Sequence, residues 1–228
     1  MTADGFSVVL FDFDGVILDS TGIKARGFVE CFTAESAPAR EAIHAYVVMH
    51  GGVSRYDKFR HIHERILGRA LGADRLRDLC EQYGRIVVEQ VACAPFVKGA
   101  RELLEAIHLT TDCFVVSGTP QIELRALVRQ REIDHMFKDV VGSPWPKTVL
   151  TENIVRRYSS RDRIVFIGDS ITDYEAACHA GIAFLAVAGE AAVQGLPAGV
   201  ETADDLMHYL PRFARAERIA APRVQQLP

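Results

Sequence analysis

An apolar run near the N-terminus, Phe6 to Phe11, passes directly into Asp12-Phe13-Asp14-Gly15-Val16. A run this continuous and partly β-branched reads as a strand buried on both faces of a parallel sheet. Alternation along a strand points Asp12 and Asp14 the same way. They face the crevice at the carboxyl end of the strand, where open α/β sheets bind ligands. Two like charges so placed repel each other, and a cation or a proton relieves them. Taken alone, the pentapeptide also fits a strand end followed by a polar turn.

The rest of the chain narrows that choice. Cys113-Phe114-Val115-Val116 runs into Ser117-Gly118-Thr119, and Arg163 to Ile167 runs into Gly168-Asp169-Ser170, with Asp173 shortly after. Between them Lys147 follows Pro144-Trp145-Pro146 at the start of a helical pattern. From Phe96 onward helices and strands alternate. Helices are predicted over 99–107, 120–131 and 147–158, and after Thr172 up to a capping Gly181. Strands are predicted around Cys113, over 137–141, around Ile164 and over 183–187. Alternation of this kind implies a parallel sheet covered by helices.

Between Ser20 and about Cys93 the pattern is helical throughout. Ser20 is expected to N-cap a first helix, a second spans about Pro38 to Met49, and Ser54 with Asp57 resembles a capping box. Tyr56, Phe59, Ile62, Ile66 and Leu67 then share one helical face. A fourth helix covers about Asp74 to Cys93, and Ala94-Pro95 ends it. The fold class expected is therefore α/β, a Rossmann-like parallel sheet core with an inserted all-α cap domain. The core comprises residues 1–18 and 95–228 and the cap residues 19–94. The stretch from Glu217 to Pro228 has little pattern and is expected to fray.

Composition bounds the function. A hydrophobic share of 49% over 228 residues is ample for a core, and disorder is not expected. A formal net charge of -4 without a basic run gives nucleic acid no footprint. The five cysteines are odd in number, widely spaced and form no Cys-x-x-Cys pair, which fits free thiols in a reducing compartment. No basic region precedes the first apolar stretch, and no stretch reaches membrane-spanning length. The expected setting is cytoplasmic, with no membrane or nucleic-acid partner, as a monomer or homodimer.

The four segments, Asp12-x-Asp14-Gly15, Ser117, Lys147 and Gly168-Asp169-Ser170-x-x-Asp173, together resemble the loop motifs of the haloacid dehalogenase-like superfamily. The resemblance covers about Phe6 to Val187. It is closest to members whose helical cap follows the first motif, the β-phosphoglucomutase and phosphoglycolate phosphatase-like subgroup. It implies that Asp12 is a nucleophile that forms an aspartyl-phosphate. Asp14 would protonate the leaving oxygen and then activate water, and its main-chain carbonyl would join Asp12 and Asp169 around Mg²⁺, with Asp173 supporting that shell. All-oxygen ligands suit Mg²⁺ and not a thiolate-seeking metal. Ser117, the Gly118 amide and Lys147 would hold the phosphoryl oxygens. Ser117 also fits an ordinary turn serine, and Lys147 a first-turn lysine, although a cation is disfavoured at that helix end.

Aspartate at position 14 argues against a dehalogenase, since a halide needs no proton. It also departs from phosphonatases, which use a cap lysine as a Schiff base. The cap lysines here are Lys24 and Lys58. Substrate choice is expected from the cap. Gly51-Gly52-Val53-Ser54-Arg55 resembles the cap loop of β-phosphoglucomutases, whose arginine holds the phosphate that is not transferred. Arg55 is thus a candidate for a distal anion, and Lys24 and His50 are further candidates facing the site. His61 and His63 point apart on a helix and are not read as a metal pair. Trp145 reads as a packing residue or a pocket wall.

The reading these features support is a Mg²⁺-dependent phosphatase for a small phosphorylated metabolite, expected to be a sugar phosphate. The alternative is a phosphosugar mutase of the β-phosphoglucomutase type. Against it, Gly118-Thr119-Pro120-Gln121 follows Ser117 where those enzymes resemble Ser-Ala-Ser-Lys-Asn. A non-catalytic binding module conflicts with a complete set of catalytic positions.

Overall fold

The computed structural model describes residues 5–188 and 195–213. The expected features beyond them, including the segment from Glu217 to Pro228, lie outside the described residues. Strand β1 (Val8–Phe11) is buried along its whole length. It lies between β2 (Asp112–Pro120) and β4 (Ile164–Gly168), both parallel to it. With β3 (Asp139–Ser143), β5 (Ala183–Val187) and β6 (Thr202–Ala203) they form one six-stranded sheet in the order β3-β2-β1-β4-β5-β6. The strand order reverses at β1, which opens a crevice beyond its carboxyl end.

The apolar runs work as expected of strands buried on both faces. Val9, Phe11, Val115 and Val165 join the larger core cluster. Val8, Leu10, Phe114 and Phe166 join a second cluster on the opposite face. That second layer is closed by α7 (Lys147–Val155) and α8 (Ile171–Ala180), and α8 ends at Gly181 in the left-handed conformation. Helices α5 (Ala100–Ile107) and α6 (Gln121–Gln130) contribute to the larger cluster.

Four helices are inserted between β1 and α5: α1 (Thr21–Glu30), α2 (Ala37–Met49), α3 (Arg55–His61) and α4 (Ala73–Ala92). Their centre is aromatic. The Phe28 ring lies 4.3 Å from Tyr83 and 5.0 Å from Phe59, centroid to centroid. Gly27 lets α1 and α4 approach, because a Cβ there would meet Val87 at 2.3 Å. The chain enters and leaves this insert side by side. Leu18 and Phe96 form an antiparallel bridge, flanked by Asp19 N donating to Pro95 O (2.9 Å) and Val97 N donating to Ile17 O (3.0 Å).

Several details differ from the sequence reading. Ser20 precedes α1 but makes no capping bond, because its hydroxyl is committed elsewhere. Ser54 does cap α3, accepting from Asp57 N at 3.3 Å. The helix expected to continue past His61 widens into a π-turn over Ile62–Ile66, with Leu67 N donating to Ile62 O at 2.9 Å. Phe59 and Ile62 are fully buried, whereas Ile66 and Leu67 are only partly so. Strand β2 extends through Ser117, Gly118 and Thr119, with an irregular register against β3 at that end. The two-residue β6 carries no strand-length apolar run and was not expected.

Candidate active site

The segments that follow the carboxyl ends of β1 and β4, with the carboxyl end of β2, converge under the helical insert around a cavity of about 880 Å³. Asp12 leaves β1 with its side chain buried, and Phe13 N donates to its Oδ1 at 2.7 Å. Gly15 follows with a φ of +81°, where a Cβ would lie 2.2 Å from Asp169 Oδ2. Only glycine suits that crossing. Asp169 follows β4, and Asp173 stands in the first turn of α8. Asp173 bonds its own helix end, taking Ser170 Oγ at 2.6 Å and Ser170 N at 3.2 Å on Oδ2.

Lys147, the first residue of α7, reaches Asp12 Oδ2 at 2.9 Å and Asp173 Oδ1 at 2.6 Å. A lysine at a positive helix end is unfavourable alone. Here burial works against the ammonium, but Asp12 and Asp173 outweigh it and hold the amine above its ordinary value. Asp12, Asp169 and Asp173 each offer a carboxylate oxygen within 4.8 Å of the others. Burial, with the neighbouring carboxylates and against Lys147, pushes Asp12 up to about 7. Burial first, then Asp12 and Asp173, also raises Asp169 well above the carboxylate range. Three buried hard-oxygen donors with excess negative charge fit a divalent cation such as Mg²⁺.

Asp14 faces a different set of partners. Its Oδ1 accepts from Ser20 Oγ at 2.6 Å, and its Oδ2 from Thr119 Oγ1 at 3.0 Å and from the Lys24 ammonium. Burial raises this carboxyl, but Lys24, Ser20 and Thr119 together overcome it and hold Asp14 below its ordinary value. Its side chain is thus outside the three-carboxylate cluster. Lys24 Nζ also donates to Thr119 Oγ1 at 2.6 Å, so this cap lysine is engaged with the core. Ser117 is buried, and its Oγ accepts from Thr119 N at 3.1 Å. Gly118 is crossed closely by the cap, since a Cβ there would meet Gly52 O at 2.4 Å.

The remaining cap candidates separate. Arg55 lines the cavity, but its guanidinium is not free. It forms a two-point pair with Glu123 of α6 (2.8 and 2.5 Å) and lies 4.8 Å above the Tyr83 ring. His50 does not line the cavity, and its Nδ1 is 2.8 Å from Tyr46 O. His61 stacks on Tyr46 at 3.9 Å, while the ring of His63 is buried 5.8 Å from Phe32. Trp145 is 66% exposed and does not line the cavity.

Sequence reasoning missed Ser20, Thr119, Glu123 and Lys58. Thr119 stands two residues after Ser117, so strand alternation could have placed it on the same side. Lys58 stands one helical turn after Arg55 and is likewise buried. Nothing local marked Glu123.

Residues 9–187 match the model of a family described as haloacid dehalogenase-like hydrolase. Solved structures of similar fold include a hydrolase from Pseudomonas syringae, at 18% identity and a TM-score of 0.72, covering 92% of this chain and 100% of that one. CbbY from Rhodobacter sphaeroides, in complex with phosphate, aligns at 18% identity and TM-score 0.69, covering 90% and 96%. A predicted phosphoglycolate phosphatase from Haemophilus somnus 129pt aligns at 19% identity and TM-score 0.64, covering 82% and 87%. At these identities the likeness is one of fold. No curated protein matches the chain in sequence.

Proposed function

We propose that this chain, which belongs to the haloacid dehalogenase-like hydrolase family, is a Mg²⁺-dependent phosphatase acting on a small phosphorylated metabolite, with a sugar phosphate as the expected type. The observation that carries this reading is buried Lys147 lying between Asp12 and Asp173, beside a cavity that Asp12, Asp14, Ser117 and Asp169 line. That phosphate is bound by CbbY supports it as an analogy of fold.

Asp12 is the nucleophile: one of its carboxylate oxygens attacks phosphorus to form an aspartyl-phosphate, the bond from phosphorus to the ester oxygen breaks, and that oxygen leaves as the alcohol with a proton from Asp14. Lys147 orients Asp12 and offsets the charge of the incoming oxygens, and Ser117 and the Gly118 amide complete that cradle. Asp12 and Asp169 with the main-chain carbonyl of Asp14 would hold Mg²⁺, and Asp173 would support that shell and also offers a carboxylate oxygen of its own. The cation supplies charge neutralisation at the transferring phosphoryl group. Asp14 moves the proton. Its anionic form, favoured here by Lys24, Ser20 and Thr119, is the one that accepts a proton from water in the second half-reaction. The first half-reaction needs Asp14 protonated, so loosening of the Lys24 contact favours it.

Residues 19–94 act as one cap over a core of 1–18 and 95–228, and the cap loop at Gly51-Gly52 excludes water when seated. Five unpaired cysteines suit the cytoplasm as the compartment.

The test is a panel of phosphorylated metabolites assayed with EDTA and with Mg²⁺, for wild type and Asp12→Asn. Release of inorganic phosphate only with Mg²⁺, and none from Asp12→Asn, is expected. Full activity of Asp12→Asn would end the covalent reading. A phosphorylated isomer formed without phosphate release would make the enzyme a mutase.

A further inference from the structure

Three strongly or partly buried cations line the cavity, and two of them are matched. Lys24 is held by Asp14 and Thr119, and Arg55 by Glu123, while Lys147 behind the cavity wall is held by Asp12 and Asp173. The third is Lys58. It is only 8% exposed, yet it has no ion pair or hydrogen bond among the described residues. Its one close aromatic neighbour is the Phe28 ring, 5.4 Å from Nζ. A cation over an aromatic face recovers only part of what burial costs. Burial, with Lys24 and Lys147 and against Asp14 and Asp169, pulls the amine down to about 8, so it is still mostly protonated at neutral pH.

A buried, unmatched ammonium facing a cavity is costly unless something that enters the cavity compensates it. Lys58 belongs to α3, on the cap side, whereas Ser117, Lys147 and Asp12 occupy the core side. We propose that Lys58 receives a second anionic group of the substrate, remote from the transferred phosphoryl group, so that the substrates are phosphomonoesters that also carry a carboxylate or a further phosphate. This assignment rests on the phosphatase reading above. It moves the distal-anion role from Arg55, whose charge Glu123 already occupies, to the residue one turn further along the same helix.

Binding of non-hydrolysable probes tests it without turnover. Calorimetric titration with Mg²⁺ present would compare propylphosphonate with 3-phosphonopropanoate and with propane-1,3-diphosphonate. Wild type is expected to bind at least one doubly anionic probe roughly ten- to a hundredfold more tightly than propylphosphonate. Lys58→Gln should remove that preference, and Lys58→Arg should keep part of it, which also controls for a folding defect. No preference in wild type, or a preference that survives Lys58→Gln, overturns the proposal. So does an equal loss on propylphosphonate, because Lys58 would then be a ligand of the transferred group. Hydrolysis of p-nitrophenyl phosphate by the same wild-type preparation reports separately on the phosphatase reading. An inactive protein that still shows the Lys58-dependent preference would sink that reading alone.

Discussion

Gly15 and Lys58 each make a single-residue requirement visible. At Gly15 a side chain would be strained by the positive φ and would collide with Asp169. Gly15→Ala is therefore expected to weaken Mg²⁺ binding, raising the Mg²⁺ concentration for half-maximal p-nitrophenyl phosphate hydrolysis by about 10–100-fold. An unchanged Mg²⁺ titration would show that Asp169 is not displaced. At Lys58 the argument concerns stability. The folded-state amine titrates near 8 against 10.5 for an ordinary lysine, a difference on the order of 3 kcal/mol. Below pH 8 both folded and unfolded chains carry the charge, so the burial penalty is present in full. Between 8 and 10.5 the folded chain has released the proton and the unfolded chain has not, so stability rises with pH. Lys58→Met should thus be more stable than wild type at pH 7, with an advantage that shrinks toward pH 10.5. The neighbours that set this balance are Lys24, Asp14, Lys147 and Asp169. Urea midpoints at both pH values would check it, and a mutant less stable at pH 7 would contradict it.

Between elements, contact depends on the loop leading into α3. Gly52 has a φ of +76°, and a Cβ there would lie 2.1 Å from Thr172 Oγ1 and 3.1 Å from Lys147 Nζ. Gly52→Ala should keep the cap from seating on the α8 loop and lower kcat by roughly tenfold or more, while the melting temperature changes little. Normal kcat in a well-folded Gly52→Ala would show that this approach is dispensable. The strand ends and their carboxylates were legible in the sequence, because a buried parallel strand and its polar terminus have distinct local signatures. The cap's contacts were not. Arg55 looked available for a substrate because its partner, Glu123, lies on a core helix 68 residues away, and a pairing over that distance leaves no periodic trace. Ser20 was read as a cap by its position, but a buried Asp14 competes for the same hydroxyl and wins it. The π-turn after His61 is likewise set by packing, since the apolar spacing there suits an ordinary helix equally well.

For the molecule as a whole, cation binding at the three-carboxylate cluster, as proposed above, would make folding and binding one equilibrium. Mg²⁺ at a hundredfold excess over its Kd would stabilise the native state by about 2.7 kcal/mol, or about 5–10 °C in a chain of this length. Differential scanning calorimetry should show that shift in wild type and not in Asp169→Asn. An equal shift in both would mean that the cation binds elsewhere. The two chain crossings between core and cap have a mechanical consequence. Because Ile17–Asp19 and Pro95–Val97 are hydrogen-bonded to one another, the insert is attached along one line and not at two separate points. If the insert moves as the proposed cap, an attachment of this kind favours a swing about that line over sliding or twisting, which would break the paired ribbon. Such a swing would return Gly52 and Lys58 to the same strand ends.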